Sequence, residues 1–199
     1  SQVKTLKAFE RHGAAAVDLA LQLDADDDGI GDACDGCPNY SNPGGMACPT
    51  TIYNVKKGVT PVGSGALIED GLVTAVGESF FFMVTDPDGS GWGGPEDAAI
   101  YIYNSGSAQP PLGARVRVDG TVNDYYGQIQ IEASTVSVID PDVGVPEPWP
   151  INPADAASGG SLERSYEAML VSVDDVEVTQ KVATASEGES PSPKENFVT

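Results

Sequence analysis

The stretch Asp24-Ala25-Asp26-Asp27-Asp28-Gly29-Ile30-Gly31-Asp32-Ala33-Cys34-Asp35 limits what this chain can fold into more than any other part of it. It sets side-chain oxygens at loop positions 1, 3, 5, 9 and 12, glycine at position 6 and the Ile30 carbonyl at position 7. Calcium takes six to eight oxygens at about 2.3–2.6 Å, and a twelve-residue loop delivers them at this spacing, with the glycine allowing a sharp turn around the ion. Asp35 stands where Glu is usual at position 12, so its shorter arm requires a closer approach of the chain. Carboxylates this close repel one another unless a cation lies among them. The expected ligands are Asp24, Asp26, Asp28, Ile30, Asp32 and Asp35, and the expected cofactor is calcium. A disordered acidic linker is the competing reading.

Charge and cysteines set the surroundings of that loop. Thirty acidic residues against ten basic ones give a formal charge of −20. Such a field repels polyanions and attracts cations. It opposes non-specific nucleic-acid binding, which rests on Lys and Arg displacing counterions from phosphates. Either the surface is simply well solvated or salt-adapted, or bound calcium balances part of the charge. Apolar runs are only a few residues long, so no membrane insertion is expected. The chain opens with Ser1 rather than methionine, and an upstream leader or domain is expected. All three cysteines, Cys34, Cys37 and Cys48, fall in one short loop-rich segment. That clustering predicts one local disulfide and an oxidising, extracellular or cell-surface setting, with one cysteine left over and the pairing open. Zinc held by these cysteines and His12 is the alternative; carboxylates crowd the first pair and the intervals fit no finger motif.

The chain divides into four parts. Residues 1–23 hold Val3, Leu6 and Phe9 at helical spacing and read as a short helix or the tail of an upstream domain. Residues 24–50 are the calcium loop and a polar linker with no apolar periodicity. Residues 51–180 carry short β-type runs: Ala66–Val76, Ser79–Thr85, Ala99–Tyr103, Ala114–Val122, Gln128–Ile139 and Met169–Val178. Alternation in Arg115-Val116-Arg117-Val118 and Gln128-Ile129-Gln130-Ile131 marks strands with one wet face. The turn Asn123-Asp124-Tyr125-Tyr126-Gly127 joins two of these runs as a hairpin. No βαβ rhythm is present, so the fold class is all-β, a small antiparallel barrel or sandwich. A proline-rich crossing follows, with Trp149 expected to pin it onto the barrel, and Ser161 is a candidate helix cap. Residues 181–199 read as a linker and the start of a second unit, because Phe82-Met83-Val84-Thr85 is echoed in Asn196-Phe197-Val198-Thr199.

Two resemblances sharpen this reading. Asp32-Ala33-Cys34-Asp35-Gly36-Cys37-Pro38, followed by Asn42-Pro43, resembles the thrombospondin type 3 repeat over about residues 24–43. That resemblance implies calcium ligation by the residues above, a nearby disulfide and an extracellular location. Residues 51–180 resemble the OB-fold domain found beside the catalytic domains of bacterial secreted nucleases. The carrying stretches are Gly71-Leu72-Val73-Thr74-Ala75-Val76, Phe81–Gly89, Arg115–Gly127 and Glu167–Val173. This implies an OB-like barrel, with Glu167–Val173 as the strand that closes it.

An OB barrel binds single strands through aromatic platforms and a basic groove. The candidates here are Tyr101 and Tyr103, with Arg115 and Arg117 on one face of a later strand. Residues 51–199, however, carry 22 acidic against seven basic residues, so the phenylalanines are expected in the core and the tyrosines as ordinary strand residues. A second metal loop is a candidate at Asp86, Asp88, Ser90, Trp92 (through its carbonyl) and Asp97, with a metal-free glycine-rich hairpin as the alternative. The single histidine lies outside the barrel and no nucleophile stands beside a base, so no catalysis is expected. The expected function is a non-catalytic, calcium-stabilised structural or interaction module. Its expected partners are calcium ions and other domains of a larger secreted or surface protein. The alternative is a nucleic-acid-positioning accessory domain of an extracellular nuclease, although nucleic-acid binding by the fragment alone is not expected.

Overall fold

The computed structural model describes residues 23–174 apart from residues 33, 36, 43–46, 107 and 158. The helix expected over residues 2–23 and the second unit expected over 181–199 lie outside the described residues. In chain order the elements are β1 (Pro49–Thr50), α1 (Ile52–Lys56), β2 (Gly65–Val76), β3 (Phe80–Val84), β4 (Ala99–Tyr103), β5 (Arg115–Tyr125), β6 (Gln128–Asp140), β7 (Trp149–Pro150), α2 (Pro153–Ala156) and β8 (Val171–Ser172).

Five of these strands close on themselves. Neighbours run β2-β3-β4-β6-β5, and β5 pairs back onto β2. All the barrel seams are antiparallel except one, where β4 runs parallel to β6 with Tyr101 opposite Gln130 and Tyr103 opposite Glu132. That seam follows from connectivity: the chain leaves β4, crosses the barrel to β5, and only then returns through a tight hairpin as β6. The ring is the OB-like barrel expected, five strands in a Greek-key path. β1 adds beside the first half of β2, at Leu67 and Ile68, while β3 covers its second half. Between them the β2–β5 register shifts at Ile68/Gly71, where Glu69 and Asp70 are exposed. Such a shift bends the strand and lets one strand serve two sides of a small barrel.

Alternation decides the core. Val116 and Val118 are fully buried between outward arginines, and Phe81 and Met83 are buried between outward Phe80 and Phe82. Ile100, Ile102 and Ile131 complete the same cluster. The helix α1 contributes Ile52 and Val55 to it, and Thr51 caps that helix by accepting the Asn54 N–H at 3.1 Å. At five residues α1 is too short to leave a periodic signature.

The C-terminal elements depart from expectation. Among the described residues, the strand expected over Met169–Val178 is only β8, and it pairs with β7, not with the barrel. Its neighbour is set by the proline-rich strap, whose Trp149 N–H donates to the Leu170 carbonyl at 3.0 Å. Residues 161–168 are turns, and the helix lies earlier, at α2, where Asn152 caps and Pro153 opens the first turn. Trp149 does pin the strap, but on the surface. Its ring lies 5.9 Å from Trp92, which rests on a small cluster of Leu72, Val84, Ala98 and Ala99.

The disulfide joins Cys37 to Cys48 across 11 positions, leaving Cys34 as an exposed thiol. Closing a loop of that length removes unfolded-chain entropy worth about 2–3 kcal/mol. Alkylation followed by non-reducing mass spectrometry of protein isolated from its native compartment is expected to label Cys34 alone and to recover a linked Cys37–Cys48 peptide. Three labelled thiols would refute the pairing.

Candidate metal centre and aromatic face

The acidic loop folds as a cup. Ligand atoms of Asp24, Asp26 and Asp28 lie within 4.8 Å of one another. Two left-handed residues make the turn, Asp27 at φ 58° and Gly29 at φ 92°. Glycine adopts that region without penalty, whereas an aspartate does so only because its short side chain hydrogen-bonds locally. Backbone donors hold the carboxylates in place. The Asp24 oxygens accept from the Asp28 and Gly29 N–H groups at 3.2 and 3.0 Å, Asp28 Oδ1 from Ile30 N–H at 2.7 Å, and Asp32 Oδ1 from Ala25 N–H at 2.9 Å.

Asp26 is different. Both its carboxylate oxygens are shut away from solvent without a well-formed hydrogen bond, and the same holds for Oδ2 of Asp35. Buried carboxylates without partners are strongly unfavourable, and native structures satisfy them with a donor or an ion. Burial pushes the Asp26 carboxyl above its ordinary pKa, and the charges of Asp28 and Asp35 add to that rise against the opposing pull of the Asp28 backbone N–H. A cation bound among these oxygens reverses the sign of that field. The residues present therefore fit a hard divalent ion. Asp32 and Asp35 stand outside the three-residue cluster, although Asp35 is near enough for its charge to be felt at Asp26.

The cup is wired to the barrel. Asp28 Oδ2 accepts the Asn42 N–H at 3.0 Å, and the Asn42 side-chain amide donates to Cys37 Sγ at 3.3 Å. The disulfide carries the connection to Cys48, whose carbonyl accepts from Leu67 N–H of β2 at 3.1 Å. In parallel, the Tyr40 hydroxyl donates to Glu69 at 2.9 Å.

The second acidic loop, the other candidate metal loop, is organised differently: its carboxylates do not form a close cluster among the described residues. Asp86 is engaged by Arg115, whose Nη2 donates to Oδ2 at 2.6 Å, while Nη1 reaches both oxygens of Asp70 at 2.6 and 2.8 Å. Burial alone would raise the Asp86 pKa, but the Arg115 hydrogen bond and charge, with the Asp88 N–H, hold it below the ordinary carboxylate range. Asp88 and Asp97 do not join it in a cluster of close ligand atoms. Trp92 turns its ring onto the barrel, and Asp97, at φ 61°, donates its N–H to the Ser165 carbonyl. Ser90 sits in the turn between them.

The expected pairing of tyrosines with arginines also changes. Arg115 and Arg117 stand opposite Asp140 and Ser137 of β6, whereas Tyr101 and Tyr103 lie beside Gln130 and Glu132. Seven residues of strand separate Gln130 from Ser137, about 20 Å along β6. Arg117 donates to the Tyr40 hydroxyl at 3.3 Å, so both arginines serve the β2–linker side. The tyrosines instead join Phe80 and Phe82. Phe80 stacks on Tyr101 with centroids 4.9 Å apart, and Phe82 meets Tyr101 edge-on at 5.6 Å. These phenylalanines are outside the core that sequence assigned to them, because successive residues of β3 face opposite ways. The stripe continues across the parallel seam into an open cleft of about 420 Å³, lined by Tyr101, Tyr103, Asn123, Tyr125, Gln130 and Glu132 among others. The β6 side of this face was visible as outward positions in the Gln128–Ile131 alternation. Its union with Tyr101 across the seam was not.

No family model matches the chain, and no curated protein sequence matches it. Among solved structures, the hypothetical protein ygiW from E. coli is similar at 11% identity and a TM-score of 0.32, covering 50% of this chain and 97% of that one. A putative aspartyl-tRNA synthetase from Leishmania major Friedlin is similar at 14% identity and a TM-score of 0.35, covering 52% of this chain and 23% of that one.

Proposed function

We propose that this chain is a non-catalytic, calcium-stabilised structural and interaction module of a larger secreted or cell-surface protein. The observation that carries this reading is the Asp24–Asp26–Asp28 cup with both Asp26 oxygens buried and without a well-formed hydrogen bond. Asp24, Asp26 and Asp28, with Asp32, Asp35 and the Ile30 carbonyl, would hold the ion. Bound calcium supplies the positive charge that these oxygens lack, and so turns mutual repulsion into cross-linking of the loop. Calcium also suits the setting. The Cys37–Cys48 disulfide fits an oxidising compartment, and no helix among the described residues is long and apolar enough to cross a membrane. The cup's carboxylates converge on one point and accept backbone N–H groups, an arrangement that holds a cation rather than flanks a scissile bond.

The test is a calorimetric calcium titration of the folded, chelator-stripped protein. Saturable uptake that disappears in the Asp26→Ala, Asp28→Ala double variant is the expected result. Absence of uptake by folded wild-type protein rejects the proposal.

A further inference from the structure

We propose that the outer face of β3, β4 and β6, with the β5–β6 hairpin tip, is a binding surface for a neutral oligosaccharide. The inference does not depend on the calcium loop.

Three observations converge on this face. The first is its lining. Aromatic rings from Tyr101, Tyr103 and Tyr125 stand beside the planar polar groups of Asn123, Gln130 and Glu132 around a cleft of about 420 Å³, within the range of small-ligand sites. Gln130 is only 6% exposed, yet its side chain makes no hydrogen bond to any described residue and borders the cleft. It offers a donor and an acceptor to whatever enters.

The second is the hairpin tip. Tyr126 and Gly127 both have positive φ, 54° and 93°, the conformation of a two-residue type I′ turn. Asn, Asp or Gly normally fills the first of these positions, since a Cβ there is strained. A tyrosine occupies it instead, 95% exposed, with its ring edge-on to Tyr125 at 4.7 Å. The turn is held from below, with Gly127 N–H donating to Asp124 at 2.6 Å and Arg164 donating to the Gly127 carbonyl at 2.8 Å. Strain kept for an exposed ring packed on Tyr125, itself part of the cleft lining, points to a surface that uses the ring.

The third is charge, which selects the ligand. Among the residues lining the cleft there is a carboxylate, Glu132, and no Lys or Arg. Arg164, which reaches the tip, is engaged by the Gly127 carbonyl. Nucleic acid needs cations to neutralise phosphates, and this face has none to give. A peptide strand needs an open sheet edge, and the β4–β6 seam closes the barrel here. A sugar needs neither. Its C–H faces lie on aromatic rings, and its neighbouring hydroxyls pair with side-chain amides and carboxylates.

The experiment is a binding panel on the full chain by calorimetry or affinity electrophoresis, with cello-, chito-, laminari- and malto-oligosaccharides and with oligothymidine. It is run once in calcium and once in chelator. At least one sugar series is expected to bind in both conditions, and Tyr101→Ala is expected to weaken it by about fivefold or more. Tyr126→Asn separates function from folding. Asn tolerates positive φ, so this variant is expected to keep or raise the melting temperature while losing affinity. No binding by any sugar at millimolar concentration overturns the proposal. So does sugar binding that survives both substitutions, or tighter binding of oligothymidine with a steep salt dependence.

Discussion

Stripping calcium from the folded protein is expected to open residues 24–48 to proteases, with cleavage there accelerating by roughly a hundredfold. A ligand present at a hundred times its dissociation constant stabilises the state that binds it by about 2.7 kcal/mol, a hundredfold in the population of the open form. Residues of the loop contribute to the buried set chiefly through Cys37 and Asn42, and the carboxylates facing one another at Asp24, Asp26 and Asp28 drive it apart when unscreened. The disulfide and the Asp28–Asn42–Cys37 contacts keep the segment tethered, so the barrel itself is expected to melt only slightly earlier. Asp26→Ala with Asp28→Ala should remove both the stabilisation and the repulsion, giving a protein whose digestion pattern ignores calcium. Limited proteolysis with mapped cut sites reads this directly. Equal cleavage of the wild-type protein in calcium and in chelator would contradict it.

Adjacent phenylalanines of β3 are expected to behave as opposites. Phe81 is fully buried in the main core, and Phe81→Ala should cost about 3–5 kcal/mol through lost burial and the cavity left behind. Phe82 faces outward against Phe80 and Tyr101, and Phe82→Ala should cost about 1 kcal/mol, the worth of a surface aromatic contact. Urea denaturation of the two variants measures the difference as a shift in midpoint at similar slope. A one-residue slip of register would exchange the two faces. A larger loss from Phe82→Ala would therefore show that β3 pairs with β4 in a register other than Phe82 against Tyr101.

The contrast between those residues marks where sequence reasoning works. A strand at Ser79–Thr85 puts Phe81 and Met83 on one side and Phe80 and Phe82 on the other. Sequence alone did not say which side was the interior. That depends on what lies opposite, and the Ile100 and Ile102 side of β4 pairs with the Phe81 side. The same holds for the arginines. Arg115 and Arg117 were legible as outward residues of one strand, but Arg115 meets Asp86 and Asp70, which are 29 and 45 positions away. No local pattern reports a partner that distant, so the sequence left the second acidic loop open between a metal loop and a metal-free hairpin. Its aspartate is held by an arginine that sequence placed elsewhere.

What the sequence determined by itself is local. The order of oxygens and glycine around the acidic loop, the strand periods and a hairpin turn within Asn123–Gly127 all depend on residues within a dozen positions of one another. Their conformations are set by short-range sterics and hydrogen bonds. What only the tertiary structure decided is the meeting of distant segments. It paired Cys37 with Cys48 and left Cys34 out, laid β4 parallel to β6, and turned the closing strand expected at Met169 towards the proline strap. It also separated the tyrosines from the arginines and set them instead beside Gln130 and Tyr125. The physical reason is common to all of these. Barrel closure selects one set of neighbours from many that satisfy the same alternation, because only that set fills the core and leaves no strand edge open in the ring.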